Sequence, residues 1–216
     1  MAIPDNIFET MAPEPYETVR DKLRSGDLLL FSGPAFMSKM IEWATGSPWS
    51  HVGFVLRLGE IDRVLVLEAV PVGARSVALS SLIQGNTSFK PFDGRLLIAR
   101  HVNFPGEPGA PRLKAMSQFA VDRFGAPYAN MELVGIGMRI FLGWFNIKLP
   151  PPKHSSKAFI CSEYAARCYK EIGIEIAWNG KGFIAPADFA DDPNVVPFAV
   201  IETHVNGKRQ RKHKRR

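Results

Sequence analysis

The sequence predicts an α+β domain in which a small, largely antiparallel sheet packs against a helix that opens at Cys161. Three observations lead there. Short apolar runs bounded by turn residues recur at Leu28–Phe31, Trp49–Leu56, Arg63–Ala69 and Arg95–Arg100. Two later segments, Pro111–Phe124 and Cys161–Ile172, have the spacing of helices and end at Gly125 and Gly173. A hydrophobic content of 46% against 22% charged residues, over 216 residues, suits one globular domain with a sizeable core.

In chain order, residues 1–24 are a Pro-rich lead-in with a short helix from Tyr16 to Leu23. Ser25-Gly26-Asp27 is a turn into the first strand, which Ser32-Gly33-Pro34 breaks. Ala35–Ala44 is a helix whose apolar face holds Phe36, Met40, Ile41 and Trp43, ending at Gly46-Ser47-Pro48. Trp49–Leu56 and Arg63–Ala69 form a hairpin around Leu58-Gly59-Glu60. Arg75–Ala78 is a candidate short strand and Leu79–Ile83 a helical turn. With Arg95–Arg100 and a closing strand at Phe198–Thr203, the sheet has about five or six strands. Gly125-Ala126-Pro127-Tyr128 is a loop, and Pro150-Pro151-Pro152 is a stiff break.

The net charge of +6 is concentrated in one place. Seven of the 27 Lys and Arg lie in the 208–216 tail, so the rest of the chain is close to neutral against 21 acidic residues. Such a run repels itself and is expected to be disordered. It is either a solubilising tail or a weak contact for nucleic acid or another anionic surface. Two cysteines make neither a disulfide framework nor a four-ligand zinc site. Cys161 and Cys168, two helical turns apart, stand about 10 Å from each other, too far for a disulfide. No metal or cofactor is expected, since no useful phosphate-binding glycine loop occurs. Met1–Asn6 lacks a basic and then apolar leader, so the expected location is cytoplasmic.

Chemistry centres on Cys161. A cysteine in the first turn of a helix meets unpaired N–H groups and the positive end of the dipole, which favour the thiolate. Of the five histidines, only His51 opens a strand in an apolar setting, with Gly53 beside it to admit a close neighbour. Glu68 closes the apolar run of the next strand. If Gly59-Glu60 is a two-residue loop, Leu58 pairs with Ile61 and His51 with Glu68. A loop one residue longer turns Glu68 to the other face, so the register is open at this point. A carboxylate against the imidazole fixes its tautomer and stabilises its charged form. The Cys161 N–H is a candidate oxyanion donor. Trp49 and Ser50, immediately before His51, are near-site candidates. Glu163 suits the helix start electrostatically, and Cys168 suits packing.

Five pieces occur in order: Gly26-Asp27-Leu28-Leu29-Leu30-Phe31, Ser50-His51-Val52-Gly53-Phe54-Val55, Val66-Leu67-Glu68-Ala69, Phe124-Gly125-Ala126-Pro127-Tyr128 and Phe159-Ile160-Cys161-Ser162-Glu163-Tyr164. Together they resemble the circularly permuted branch of the NlpC-type papain-like superfamily, the YiiX/YaeF-like amidases. The resemblance implies a permuted papain-like α+β fold, with a small antiparallel sheet packed on helices and the nucleophile at a helix N-terminus. It implies residues 25–206 as the catalytic domain, Cys161 as nucleophile, His51 as base, Glu68 as its orienter and Tyr128 near the site. The substrate would be an amide, peptide-like, or an ester, taken through a thioester acyl-enzyme. The related lecithin-retinol acyltransferase group, with lipid substrates, is the alternative; a non-enzymatic protein that binds through the tail is a second. The apolar segment 131–152 has no counterpart in the family core. Arg139 interrupts it, and it is short for a membrane span. It is either a packed helix or lid over the site, or a surface for acyl chains or a membrane interface.

Overall fold

The structure, a computed structural model, describes residues 2–34, 36–88, 90–105, 111–126, 160–177 and 184–203. Among them lies a seven-stranded mixed sheet: β1 (Pro13–Glu14), β2 (Leu28–Ser32), β3 (His51–Leu58), β4 (Arg63–Val70), β5 (Gly73–Ala78), β6 (Arg95–His101) and β7 (Val195–Ile201). Their order across the sheet is β1-β7-β6-β2-β3-β4-β5, antiparallel except for the β1–β7 edge pair. The helices are α1 (Ile7–Thr10), α2 (Tyr16–Val19), α3 (Phe36–Thr45), α4 (Leu79–Gln84), α5 (Pro111–Val121), α6 (Cys161–Lys170) and α7 (Pro186–Asp191), with a 3₁₀ turn at Arg20–Lys22. Tyr128, the 131–152 segment and the 208–216 tail fall outside the described residues.

Alternation along the strands builds two cores. Leu28, Leu30, Phe54, Leu67 and Ala69 face α6, where Tyr164, Ala165, Cys168 and Tyr169 are buried. Leu29, Phe31, Val55, Val66 and Val77 face the other way, against Tyr16, Val19, Leu79 and Ile83. Full burial of one large aliphatic side chain in such a layer is worth about 1.5–3 kcal/mol. The two tyrosines of α6 satisfy their hydroxyls inside the core. Tyr164 donates to the Ala120 carbonyl at 3.0 Å, and Tyr169 donates to the Gly26 carbonyl. Together they fix the helix in both height and rotation, because a buried hydroxyl without an acceptor is costly.

Several expectations are corrected. Residues 1–15, which read as Pro-rich coil, form α1 and β1 with Ile3 and Ile7 buried, while the expected helix from Tyr16 is there as α2 and the 3₁₀ turn after it. Ile3 N–H donates to the Ala190 carbonyl at 2.8 Å, tying the first residues to α7. The closing strand begins earlier, at Val195, because it must reach His101 at the far end of β6. Helix α5 stops at Val121 rather than Phe124, and the next residues are turns. Trp43 is 57% exposed, off the apolar face expected for α3. Among the described residues, no helix is long and apolar enough to cross a membrane.

The hairpin register also differs. Leu58 pairs with Arg63, so the loop is Gly59–Asp62 and not two residues. Asp62 takes a left-handed conformation, φ 48°, which Asp tolerates, and its N–H closes the turn on the Gly59 carbonyl at 3.2 Å. Arg20 holds the Asp62 carboxylate at 2.5 Å. The pairing partner therefore moves by two residues relative to the two-residue loop. Because side chains alternate with period two, Glu68 stays on the face of His51.

Candidate functional site

The site begins at the end of the β3–β4 ladder. Pairing stops at Phe54–Leu67, although β3 starts at His51 and β4 runs on to Val70. Continuing that register sets Glu68 against Gly53, one alternation from His51. A Cβ at Gly53 would lie 3.0 Å from the Leu67 carbonyl oxygen and 3.4 Å from the Glu68 Cβ. Glycine there leaves the space over which the glutamate reaches diagonally to the histidine. His51 Nε2 and Glu68 Oε2 are 2.8 Å apart. Glu68 is 3% exposed at its side chain and His51 20%. Phe31 on β2 meets the imidazole edge-on at 5.0 Å between ring centroids.

Cys161 is the first residue of α6, only 4% exposed, with Ile160 before it and no side-chain cap at that end. The helix start is pinned instead by Ser162, whose hydroxyl donates to the Ile184 carbonyl at 2.7 Å. The His51 side chain and the backbones of Val52 and Ser162 act on the Cys161 sulfur, and all three favour its thiolate. Val52 lies where β3 has no ladder partner on β4. With Nε2 occupied by Glu68, Nδ1 is the imidazole nitrogen left to serve the thiol.

Burial alone would push the imidazole toward its neutral form and both acids upward. Opposite charges reverse this. Against burial, the neighbouring Cys161 thiolate and then Glu68 push the His51 pKa up to about 10. Against burial, the His51 imidazolium pulls the Cys161 thiol below its ordinary 9.0, helped by the two backbone contacts. Glu68 also ends below its usual range; burial raises it, but His51 and Arg75 outweigh that. The shifts favour a thiolate–imidazolium–carboxylate series.

The other candidates sit as follows. Ser50 is buried, its hydroxyl donating to the Phe31 carbonyl at 3.2 Å and accepting from Gly33 N–H, so it shapes the bend after β2. Trp49 is fully buried against Phe8, with ring centroids at 5.3 Å, and its indole N–H has no partner among the described residues. Glu163 pairs with Arg167 one helical turn on, at 2.5 Å. Cys168 is buried in the core, and burial pushes its thiol far up. His101 is buried at the end of β6, its Nδ1 accepting from Asn103 N–H at 3.2 Å.

Sequence reasoning missed one member. Arg75 on β5 stands directly across from Glu68, and its Nε and Nη2 donate to Oε1 at 3.0 and 2.7 Å. The signal was present as two oppositely charged residues placed symmetrically about Pro71-Val72, the turn between β4 and β5. It was invisible until that turn was known to be two residues long.

The chain is similar to the crystal structure of YiiX from Escherichia coli O157:H7, described as a metalloprotein of DUF1105, with a TM-score of 0.56 and 18% identity. The match covers 82% of this chain and 97% of that one. The two share a fold. At that identity the likeness to YiiX speaks for architecture and not for individual residues. No protein-family model and no curated protein sequence matches the chain.

The ion pair has a consequence for stability. Taken alone, the raised His51 stabilises the fold fully below its unfolded value of 6.5, and this is lost as pH rises to about 10. Taken alone, the lowered Cys161 stabilises it fully above 9.0, and this is lost as pH falls through its folded value. Within 6.5 to 9.0, at pH above the folded Cys161 value, the two pH slopes cancel, because folding moves one proton from sulfur to imidazole with no net uptake. The difference in urea-unfolding free energy between wild type and the double variant H51Q/C161A is therefore expected to have a plateau ending near pH 9.0 and to fall on both sides of it. A steady slope through it would contradict the ion pair.

Proposed function

We propose that the chain is a cysteine hydrolase of permuted papain-like type, cleaving an amide or ester bond through a thioester acyl-enzyme. The observation that carries this is the convergence of Cys161 and Glu68 on the two sides of one imidazole, His51. The architecture shared with YiiX agrees with it.

In this reading the Cys161 thiolate adds to the carbonyl carbon, and the carbonyl π pair moves to oxygen. The free N–H groups of the uncapped α6 start favour that oxyanion. The His51 imidazolium gives its proton to the leaving nitrogen or oxygen as the bond to carbon breaks, leaving a thioester and a neutral imidazole. Neutral His51 then takes a proton from water, whose oxygen attacks the thioester carbonyl. The C–S bond breaks and restores the thiolate–imidazolium pair. Glu68 holds the ring orientation throughout and stays ionised. An alcohol or amine in place of water would make the same cycle an acyl transfer.

The word metalloprotein belongs to YiiX. Among the described residues here, no group of three or more His, Cys, Asp or Glu could hold a metal ion. Glu68 spends Oε2 on His51 and Oε1 on Arg75, so it does not converge with Cys161 on a common point. The described residues do not fit a resident metal, and the cycle above uses none.

Incubation with p-nitrophenyl acetate tests the proposal. The expected result is a burst of p-nitrophenol and a hydroxylamine-labile acetyl group mapped to Cys161 by peptide mass spectrometry. Acetylation elsewhere with Cys161 untouched would overturn it.

A further inference from the structure

We propose that Arg75 is a positioning residue for the same site, acting through Glu68; the inference rests on the reading of His51 and Glu68 above. A carboxylate held by a single partner can turn about its terminal torsion, which has a broad profile. Glu68 is not so held. His51 takes Oε2 at 2.8 Å, and two N–H groups of one planar guanidinium take Oε1 at 3.0 and 2.7 Å. Two donors fixed in one plane converge on Oε1 and hold that oxygen in place, which the freely rotating ammonium of a lysine does less well. With Oε1 committed, Oε2 is the oxygen presented to the imidazole.

The chain invests backbone in this placement. Val70 pairs with Gly73 across the two-residue turn, which puts Arg75 directly opposite Glu68. Gly73 has φ 113°, and a Cβ there would stand 2.7 Å from the Ala126 carbonyl oxygen. That close approach lets the turn after α5 clamp the outer side of β5. Ala74 N–H donates to Ala126 at 3.1 Å, and Gly125 N–H donates to the Ala74 carbonyl at 2.9 Å. The edge strand is thus tied down one residue before Arg75. The charged groups around the imidazole then alternate: Arg75 from β5, Glu68 from β4, His51 from β3 and Cys161 from α6, with the uncharged Phe31 from β2 against the ring.

The two roles available to Arg75 have opposite signs. If Arg75 were only a neighbouring positive charge on an edge-strand ion pair, removing it would relieve repulsion and leave the His51 imidazolium as stable or more so. If Arg75 positions Glu68, removing it lets the carboxylate turn toward water and strips the imidazolium of its partner. The full-length protein labelled with ¹⁵N-histidine reports this by NMR titration of His51. Expected for Arg75→Met is an alkaline midpoint lower by about one pH unit or more. Arg75→Lys keeps the charge without the fork and is expected between Met and wild type. Midpoints in both variants equal to or above wild type overturn the inference. The side chain is 32% exposed on an edge strand, so the Lys variant carries the test if the Met variant unfolds. The titration needs no substrate: a wild type that fails to form the acetyl-enzyme sinks the functional reading alone, whereas unmoved midpoints sink the role of Arg75 alone.

Discussion

Cys161→Ala is expected to abolish labelling by iodoacetamide at neutral pH and to lower turnover of an ester substrate by about 10⁴-fold or more. The size follows from removing the atom that forms the covalent bond, which no neighbour replaces. The other thiol, Cys168, lies in the core between Tyr164 and Ala165 on α6 and the sheet, and burial pushes it far above the range in which a thiolate exists. Wild-type alkylation should therefore map to one position. Its rate should rise with pH through a midpoint below the ordinary 9.0, because the His51 imidazolium and the Val52 and Ser162 backbones favour the thiolate. Peptide mapping and a rate–pH profile check both points. An adduct on Cys168 that persists in the alanine variant would sink the assignment.

Glu68→Gln is expected to cut turnover by about 100- to 1,000-fold while the fold is retained. The reasoning turns on donors and acceptors. Both partners of Glu68 donate: His51 through Nε2–H and Arg75 through Nε and Nη2. Glutamine offers one acceptor oxygen and one NH₂ group. Whichever way the amide is turned, one partner faces a donor. If Arg75 keeps the oxygen, the imidazole loses its orienter; if His51 keeps it, the guanidinium pushes the side chain out of plane. The stability cost is about 1–3 kcal/mol, since the buried site keeps some hydrogen bonds. The pH signature has a fixed sign. Glu68 is ionised in the fold at pH values where the unfolded group, near 4.5, is protonated, so its contribution is present above that value and lost as pH falls through the lower folded one. The variant should therefore lose less stability than wild type on acidification, measured by urea unfolding at intervals below pH 5. Equal acid sensitivity and unchanged turnover would remove Glu68 from the site.

How much of this was legible in the sequence depends on which residues carry each feature. The strands from Leu28, His51, Arg63 and Arg95 were readable because apolar runs and turn residues are local signals. The helix at Cys161 was readable for the same reason, with Gly173 marking its end. Helix α1 and strand β1 were not, since Ile3 and Ile7 are set among prolines and only become buried once α7 and the sheet are there to receive them. The register of β3 against β4 was half-readable. The loop is longer by two residues than the sequence suggests, so Glu68 falls opposite Gly53 rather than His51, and it keeps the His51 face only because the shift is even. What lay beyond sequence was the end of that ladder at Phe54–Leu67, which leaves Val52 without a ladder partner on β4. Arg75 was hidden likewise, since its partner is set by a two-residue turn and by the clamp from Gly125 and Ala126.

The order of the elements has a consequence for how the site comes into being. His51, Glu68 and Arg75 lie on three consecutive strands, and β3, β4 and β5 are joined by short turns. Contacts between near neighbours in sequence form early and cheaply, because little chain entropy is lost in closing them. Cys161 meets them only when α6 docks across the whole stretch from β5 onward, with Tyr164 and Tyr169 seated in the core. In chain order, His51, Glu68 and Arg75 therefore have one another as partners before Cys161 is reached, and Cys161 is the last of the four in the sequence. Until docking brings imidazolium and helix end together, the cysteine is an ordinary thiol, protected from misplaced chemistry by its own high pKa.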